Sequence, residues 1–268
     1  MKGALNDMLK IGVIGCGGRA AGVIRAIMDF GLGTELTAIT DINPEYSKAK
    51  LGEKKIDYSK TRFYADADEM LTKEELDGII IGTNCNTHAM LAQKVMALGI
   101  PLFLEKPVAT NMEDLLALKA AYEKSKSKVV VSFPLRVTEL CRGVKEIIDS
   151  GRLGTIEQVQ AYNNVPYGGV YYHDWYRDES ITGGLWLQKA THDFDYINWL
   201  LGLKPTQICA MTSRGIFKGS KPAGLKCVDC PDKNTCSEGP FAMKFKNNDD
   251  PYGEYCCFAV YTGNEDSG

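Results

Sequence analysis

The sequence has no long apolar segment, no strong excess of charge and only three histidines. No apolar run approaches the roughly 18 residues that a membrane helix requires, and residues 1–10 lack the apolar core of a secretory signal. A net charge of −3 gives no basic footprint for nucleic acid. We therefore predict a cytoplasmic protein that has neither a membrane nor a nucleic acid as a partner.

Internal repeats and low-complexity tracts are also absent. With 268 residues, of which 44% are hydrophobic and 24% charged, the chain has the composition of a globular protein of about two domains. This length is enough to bury a sizeable core.

The most informative motif lies near the start of the chain. An apolar run typical of a strand leads directly into Gly15 and Gly17, and an amphipathic helix is predicted over 19–30. Gly15 allows a tight turn, Gly17 lets the backbone approach a pyrophosphate, and Ala20 lets the helix pack closely on the strand. The pattern predicts a dinucleotide site; an ordinary glycine-rich strand–helix turn is the alternative.

Asp41 ends the second predicted strand, at residues 35–40, about 20 residues after the glycine turn. An acid at this position hydrogen-bonds a ribose 2′-hydroxyl and repels a 2′-phosphate. The sequence therefore predicts NAD as the cofactor, with NADP disfavoured.

Strands and helices alternate from residue 10 to about 133, which predicts a doubly wound parallel sheet. Two polar segments, 82–88 and 105–107, follow predicted strands directly. Ligands of open α/β sheets bind at the carboxyl ends of the strands, so both segments are candidate parts of the site.

We predict two domains, a dinucleotide-binding domain over 1–133 and a second α/β domain over 134–268. The elements expected in the second domain are helices over 135–150 and 185–201 and strands over 155–165, 207–212 and 255–261.

Lys106 and His192 are the candidate catalytic residues. Pro107 restricts Lys106 to extended geometry, and a fixed lysine at this edge can hydrogen-bond a substrate hydroxyl. His192 lies on one predicted helical face with Gln188, and histidine is the usual general base near neutral pH. A surface lysine and a histidine satisfied within a domain interface are the alternatives.

The stretch 167–177 is rich in aromatic and polar residues and includes Tyr172. Flat rings with polar tips suit a sugar or polyol. A loop packed on the sheet, or an oligomer contact, is an equally good interpretation.

The sequence has nine cysteines, and Cys227, Cys230 and Cys236 have half of a zinc signature. A fourth ligand would have to be Cys256 or Cys257. Because the second CxxC is missing, we predict no metal site; a structural metal, free thiols and a redox-sensitive pair remain open.

Three motifs in this order resemble the glucose–fructose oxidoreductase, inositol dehydrogenase and rhizopine-catabolism (Gfo/Idh/MocA) family. They are the glycine turn at 15–20, Glu105-Lys106-Pro107, and the segment from Gly183-Gly184 through His192 to Gly202. The resemblance implies an N-terminal Rossmann domain and a C-terminal α/β domain with a mostly antiparallel sheet. It further implies NAD(P)-dependent oxidation or reduction of sugars, inositols or related polyols, with Lys106 as the active-site lysine and His192 as the catalytic histidine.

The motifs and the resemblance together define the predicted site. The predicted cofactor-binding residues are Gly15, Cys16, Gly17, Gly18, Arg19, Ala20, Asp41, Thr83, Asn84, His88, Glu105 and Lys106. The predicted substrate-binding residues are Lys106, Tyr172, Gln188 and His192.

The sequence departs from the family pattern in three places. Gln188 stands where the family often has an aspartate, Phe133-Pro134-Leu135-Arg136 lacks the asparagine of Tyr-Asn-x-Arg, and family members continue well beyond the equivalent of Gly268. We therefore expect an incomplete second sheet with an unpaired edge. The resemblance implies homo-oligomers formed through the C-terminal sheet.

The predicted function is hydride transfer between NAD and a secondary alcohol of a sugar, inositol or related polyol. Two alternatives remain open. One is a sugar hydrolase or lyase that oxidises its substrate transiently with NAD, and the other is a non-catalytic nucleotide-binding protein.

Overall fold

The computed structural model describes residues 8–165, 170–173, 175–238 and 256. The chain divides into two compact units, Met1–Ser132 and Phe133–Gly268. The boundary lies one residue before the predicted one.

The first unit is built on a six-stranded, entirely parallel sheet with the order β3-β2-β1-β4-β5-β6. This is the strand order of the Rossmann fold, as predicted. The strands are β1 (Leu9–Ile14), β2 (Thr34–Thr40), β3 (Arg62–Tyr64), β4 (Gly78–Ile81), β5 (Leu102–Leu104) and β6 (Val129–Val131).

Five helices connect these strands. They are α1 (Gly18–Asp29), α2 (Pro44–Glu53), α3 (Ala67–Lys73), α4 (His88–Ala97) and α5 (Met112–Lys124). Three of them begin at a polar N-cap. The side chains of Asn43, Asp66 and Asn111 accept hydrogen bonds from backbone N–H groups three residues later, which satisfies donors that a helix start leaves unpaired.

The sheet is buried on both faces because successive side chains point to opposite sides. Ile79 and Ile81 of β4 belong to one apolar cluster, whereas Ile80 belongs to the other, together with Val13 and Ile39. A continuous apolar run such as Ile79–Ile81 therefore fills two cores at once, and the polar residues that follow it are left at the edge of the sheet.

In the second unit, the predicted helix over 135–150 is interrupted. The structure has a 3-10 turn at Pro134–Val137 and a helix, α6, at Glu139–Asp149. The hydroxyl of Thr138 accepts from the N–H of Cys141 at 3.3 Å and caps α6. The cap divides the predicted helix because it takes the place of a helical backbone bond.

The predicted helix over 185–201 is also divided. In its place are α9 (Leu185–Gln188) and α10 (Thr191–Leu201), which follow the short helices α7 (Val170–His173) and α8 (Glu179–Thr182). Between α9 and α10, the N–H of Ala190 donates to the carbonyl of Leu185, five residues earlier, at 3.0 Å. Gln188 and His192 therefore belong to two helices, not to the single predicted one.

The expectation of strands over 155–165 and 207–212 is wrong, because no residue of these two described ranges is in a strand. The alternation of apolar and polar residues is present, but a strand also needs a hydrogen-bonded neighbour. The expected strand over 255–261 lies outside the described residues except for Cys256. Within the part of the chain that the structure describes, no helix is long and apolar enough to cross a membrane.

Candidate functional site

The glycine turn packs tightly against the segment that follows β4. Gly15 has a φ of +78°, and a Cβ added to it would lie 2.7 Å from the backbone nitrogen of Thr83. A Cβ at Gly82 would lie 2.9 Å from the Cβ of Ala20. Both glycines are therefore required by a close backbone approach, which brings the turn and the Thr83 segment together at the edge of the sheet.

Gly17 has a different role, because it faces open space. Its φ is −78°, and a Cβ added there would meet nothing within 4 Å. It forms the N-cap of α1 and offers no side chain to the N–H groups at the helix start. This opening suits a phosphate, since helix N-termini attract anions.

The carboxylate of Asp41 is held in place by the backbone. Its Oδ2 accepts from the N–H of Cys16 at 2.7 Å, and its Oδ1 accepts from the N–H of Asn43 at 2.8 Å. Burial, together with the neighbouring Asp41, raises the pKa of the Cys16 thiol to about 12. Cys16 therefore stays a neutral thiol and contributes its backbone, not its sulfur, to the site.

A cavity of about 510 Å³ connects these groups within the first unit. Its walls include five predicted cofactor-binding residues, namely Gly15, Gly17, Asp41, Thr83 and Asn84. They also include Asn86 of the polar segment 82–88, and polar and apolar residues that the sequence did not indicate, namely Ile42, Asn43, Tyr46, Asp66 and Met90. Cavities of this size take a small ligand or part of a larger one.

Arg19 joins the glycine turn to the carboxyl ends of β5 and β6. Its Nε donates to Glu105 Oε1 at 2.9 Å, and its Nη2 donates to Ser132 Oγ at 3.0 Å. The Glu105 side chain is only 9% exposed, whereas that of Arg19 is 57% exposed. Glu105 immediately precedes Lys106, so this bridge fixes the start of the Glu105-Lys106-Pro107 segment.

His88 supports the same turn from inside the protein. Its Nδ1 lies 2.7 Å from the carbonyl of Pro107, and its Nε2 lies 3.0 Å from the carbonyl of Thr83. The ring is buried, and burial is the main cause that lowers its pKa. Its place among the cofactor-binding residues stays a prediction. The geometry shows that its ring connects the backbone at Thr83 with the backbone at Pro107.

Lys106 is partly buried at the end of β5. Burial raises the pKa of the Cys85 thiol to about 11, and the Lys106 ammonium opposes this increase. The ammonium therefore lies close enough to the 83–88 segment to act on Cys85. A cation is thus placed at the rim that carries the glycine turn.

In the second unit, His192 packs edge-on against Phe133, with ring centroids 5.8 Å apart. Gln188 is buried. Both oxygens of Asp195, one turn after His192, accept from the guanidinium of Arg136, and the Nε bond is 2.6 Å long. The Asp195 carboxylate in turn raises the pKa of Arg136, so the guanidinium is the partner of this acid.

Tyr172 lines a separate cavity of about 420 Å³ within the second unit. Its ring lies 4.5 Å from that of Phe217, and the guanidinium of Arg214 lies 5.7 Å from its centroid. Tyr171, Trp186 and Lys189 also line this cavity. Residues of the aromatic stretch therefore line a cavity. A role of this stretch in substrate binding, which stays a prediction, requires such a cavity.

The cysteine cluster gathers around one irregular segment. Within residues 202–238, all of which are described, only Cys227 and Cys230 are buried. Cys256 is buried as well; its N–H donates to the carbonyl of Leu225 at 2.8 Å, and its carbonyl accepts from Arg177 at 3.0 Å. Among the described residues, no three His, Cys, Asp or Glu side chains are grouped closely enough to hold a metal ion.

Two family profiles match this chain. Residues 9–133 match the oxidoreductase family with an NAD-binding Rossmann fold, and residues 141–237 match the Gfo/Idh/MocA C-terminal domain. Together they cover most of the chain. The chain belongs to the Gfo/Idh/MocA oxidoreductase family.

Individual members of the family are similar over part of their length. The inositol 2-dehydrogenase of Ralstonia nicotianae is 28% identical over 72% of this chain and 55% of its own length. The WlbA dehydrogenase of Bordetella pertussis, solved with NADH and UDP-GlcNAcA, is 25% identical over 74% of this chain and 57% of its own, with a TM-score of 0.60. The myo-inositol 2-dehydrogenase of Lactobacillus plantarum has the same fold, at 22% identity over 73% of this chain and 57% of its own and a TM-score of 0.64. The chain thus spans little more than half the length of these family members.

The hydrogen bonds that connect separate parts of the site could not be predicted from the family motifs. The bridge joins Arg19 to Glu105, which lies 86 positions later, and to Ser132, which lies 113 positions later. No short motif contains both ends of such a bond. The one usable signal was chemical: a lone arginine in the glycine turn and an acid before Lys106 both lie at carboxyl ends of strands, which meet at one edge.

Proposed function

We propose that this chain is an oxidoreductase that transfers a hydride between NAD and a secondary alcohol of a sugar, an inositol or a related polyol. The observation that carries the proposal is the cavity of the first unit, where the glycine turn, the fixed Asp41 carboxylate and the Thr83 segment meet. The family profile, and the naming of a relative as an inositol 2-dehydrogenase, support the reaction and the substrate class.

The residues of the first unit fit the dinucleotide. The opening beside Gly17 and the start of α1 would hold the pyrophosphate, and Asp41 would accept hydrogen bonds from the ribose hydroxyls. The charge of Asp41 disfavours a 2′-phosphate, so NAD is preferred to NADP. When bound, NAD supplies the hydride acceptor.

The chain itself handles the substrate's proton. We assign His192 to take the proton of the substrate hydroxyl, since histidine is an effective base near neutral pH. We assign Lys106 to donate a hydrogen bond to the same oxygen, which favours its deprotonated form. Gln188 and Tyr172 complete the proposed substrate contacts.

Three broader features belong to the proposal as well. They are a mostly antiparallel sheet in the second unit, homo-oligomers formed through that sheet, and a cytoplasmic location. The match of residues 141–237 to the family's C-terminal domain supports the first, and the family resemblance supports the second.

The test begins with calorimetric titration of NAD and NADP into the purified chain. We expect saturable NAD binding, weaker NADP binding, and loss of this preference in Asp41→Ala. NADH absorbance is then followed with a panel of sugars and inositols, for the wild type, Lys106→Ala and His192→Ala. Turnover that survives both substitutions contradicts the assigned roles. A product formed without NADH indicates a hydrolase or lyase, and NAD binding without any turnover indicates a non-catalytic protein.

A further inference from the structure

The cavity of the second unit has an unusual combination of walls. Aromatic rings from Tyr171, Tyr172 and Trp186 line it, together with the hydroxyl-bearing Thr212 and Ser213. Lys189 is the single charged residue among its described lining residues, which include no carboxylate. A cavity with flat rings, hydroxyls and one ammonium is suited to a polar ligand of opposite charge.

Lys189 is partly buried. Among the residues that the structure describes, none is hydrogen-bonded or ion-paired to its ammonium group. Other lysines of the second unit, such as Lys145 and Lys221, do pair with an aspartate. A partly buried charge without a counter-charge is costly, so a ligand anion at this point would remove part of that cost.

A second basic side chain lies beside one of the rings that line the cavity. The guanidinium of Arg214 lies over the ring of Tyr172, one of the lining residues. The acid nearest to Lys189 in sequence, Asp193, instead accepts from the side-chain amide of Asn163 at 2.8 Å. The carboxylate nearest to Lys189 in sequence is therefore occupied elsewhere.

Lys189, which lines the cavity, is close to the proposed base in the chain. Lys189 comes three residues before His192, and the N–H of His192 donates to the carbonyl of Lys189 at 3.3 Å. A ligand group held by Lys189 is thus one turn of backbone away from the histidine that would take the proton.

We propose that this cavity receives an anionic group of the substrate, a carboxylate or a phosphate, and that Lys189 pairs with it while the rings cover the sugar. The identification of this ligand as the substrate rests on the proposed function. The substrate is then an acidic sugar, such as a uronate or a sugar phosphate, and a neutral polyol is a poorer ligand.

The test measures the binding of four probes to the full chain by calorimetry, with NADH present. The probes are D-glucuronate and D-glucose 6-phosphate, compared with D-glucose and myo-inositol. The proteins are the wild type, Lys189→Met, Lys189→Arg and the control Lys204→Met, whose lysine is exposed and outside the cavity. Thermal melting of each variant checks that it is folded.

We expect at least one anionic probe to bind about tenfold or more tightly than its neutral counterpart, as a charged hydrogen bond allows. Lys189→Met should abolish this preference, Lys189→Arg should retain most of it, and Lys204→Met should leave it unchanged. The anion that binds identifies the group as carboxylate or phosphate. Equal binding of neutral sugars, a preference that survives Lys189→Met, or failure of both anions to bind overturns the proposal.

The same proteins separate this inference from the proposed function. Lys189-dependent binding of an anionic sugar without NADH formation from NAD leaves the anion site intact and contradicts the oxidoreductase. NADH formation from inositol, together with no Lys189-dependent binding of either anionic probe, supports the oxidoreductase and contradicts the anion site.

Discussion

Alanine at Gly15 and alanine at Gly17 should affect different properties, stability at Gly15 and NAD affinity at Gly17, although the two glycines belong to one turn. At Gly15 the φ of +78° is left-handed, which costs a residue with a Cβ about 1–2 kcal/mol. The added methyl would also lie 2.7 Å from the backbone nitrogen of Thr83, and such overpacking costs about 1–3 kcal/mol more. Gly15→Ala should therefore lower the free energy of unfolding by about 2–5 kcal/mol.

Gly17→Ala should leave the free energy of unfolding within about 1 kcal/mol of the wild type, since a stiffer unfolded chain and a poorer N-cap offset each other. Its φ of −78° suits any residue, and nothing lies within 4 Å of the added methyl. The methyl enters the opening assigned to the pyrophosphate, so NAD affinity should fall about tenfold or more.

Urea unfolding and calorimetric titration with NAD measure the two effects separately. Gly31→Ala is the matched control, because Gly31 has a φ of +65° but nothing within 4 Å of an added Cβ. It should show only the conformational cost of about 1–2 kcal/mol and unchanged NAD binding. A Gly15→Ala protein no less stable than Gly31→Ala would refute the backbone contact. A Gly17→Ala protein that binds NAD like the wild type would refute the position of the pyrophosphate.

Three further substitutions test the supports of the site. Arg19→Met removes the partner of the largely buried Glu105; we expect a lower melting temperature and weaker NAD binding, which Arg19→Lys should partly restore. Burial lowers the pKa of His88 below its ordinary value of 6.5. Below pH 6.5 the imidazole of the unfolded chain therefore binds a proton more readily than that of the folded chain, so the free energy of unfolding falls as the pH falls. Urea unfolding at pH 7.5 and 5.5 should show a smaller loss in His88→Gln than in the wild type, and equal losses would contradict this account. Arg136→Met leaves the carboxylate of Asp195, 8% exposed, without its guanidinium and should cost about 1–3 kcal/mol in thermal unfolding; adding Asp195→Asn should recover part of this loss, and no recovery would rule out the pair as its cause.

The sequence predicted the first unit well because its signals are local. A buried parallel strand needs an apolar run, as at Ile79–Ile81, and helix starts need polar caps such as Asn43 and Asn111. The glycine turn and Asp41 could be assigned because one strand, one turn and one helix position them. Lining residues such as Tyr46 and Met90 could not be assigned, since their part in the cavity depends on how separate helices pack.

The second unit was predicted less well for two physical reasons. Alternation such as that of Val159 and Ala161 with Gln158 and Gln160 makes a strand possible but does not supply a partner strand. The division between α9 and α10 falls at Lys189-Ala190, where no proline or glycine marks it, because only a shift in backbone hydrogen bonding separates the two helices. Pairs such as Arg136 and Asp195, 59 positions apart, likewise depend on tertiary structure.

The Arg19 bridge also implies an order of assembly. The glycine turn is synthesised before Ser132, which lies 113 positions after Arg19, follows β6 at the edge of the sheet and accepts a hydrogen bond from this arginine. Contacts between distant residues form only after the intervening chain has been ordered. The rim around Lys106 therefore reaches its final geometry only after the sixth strand has docked, so a growing chain that has released β1 to β5 from the ribosome still lacks it.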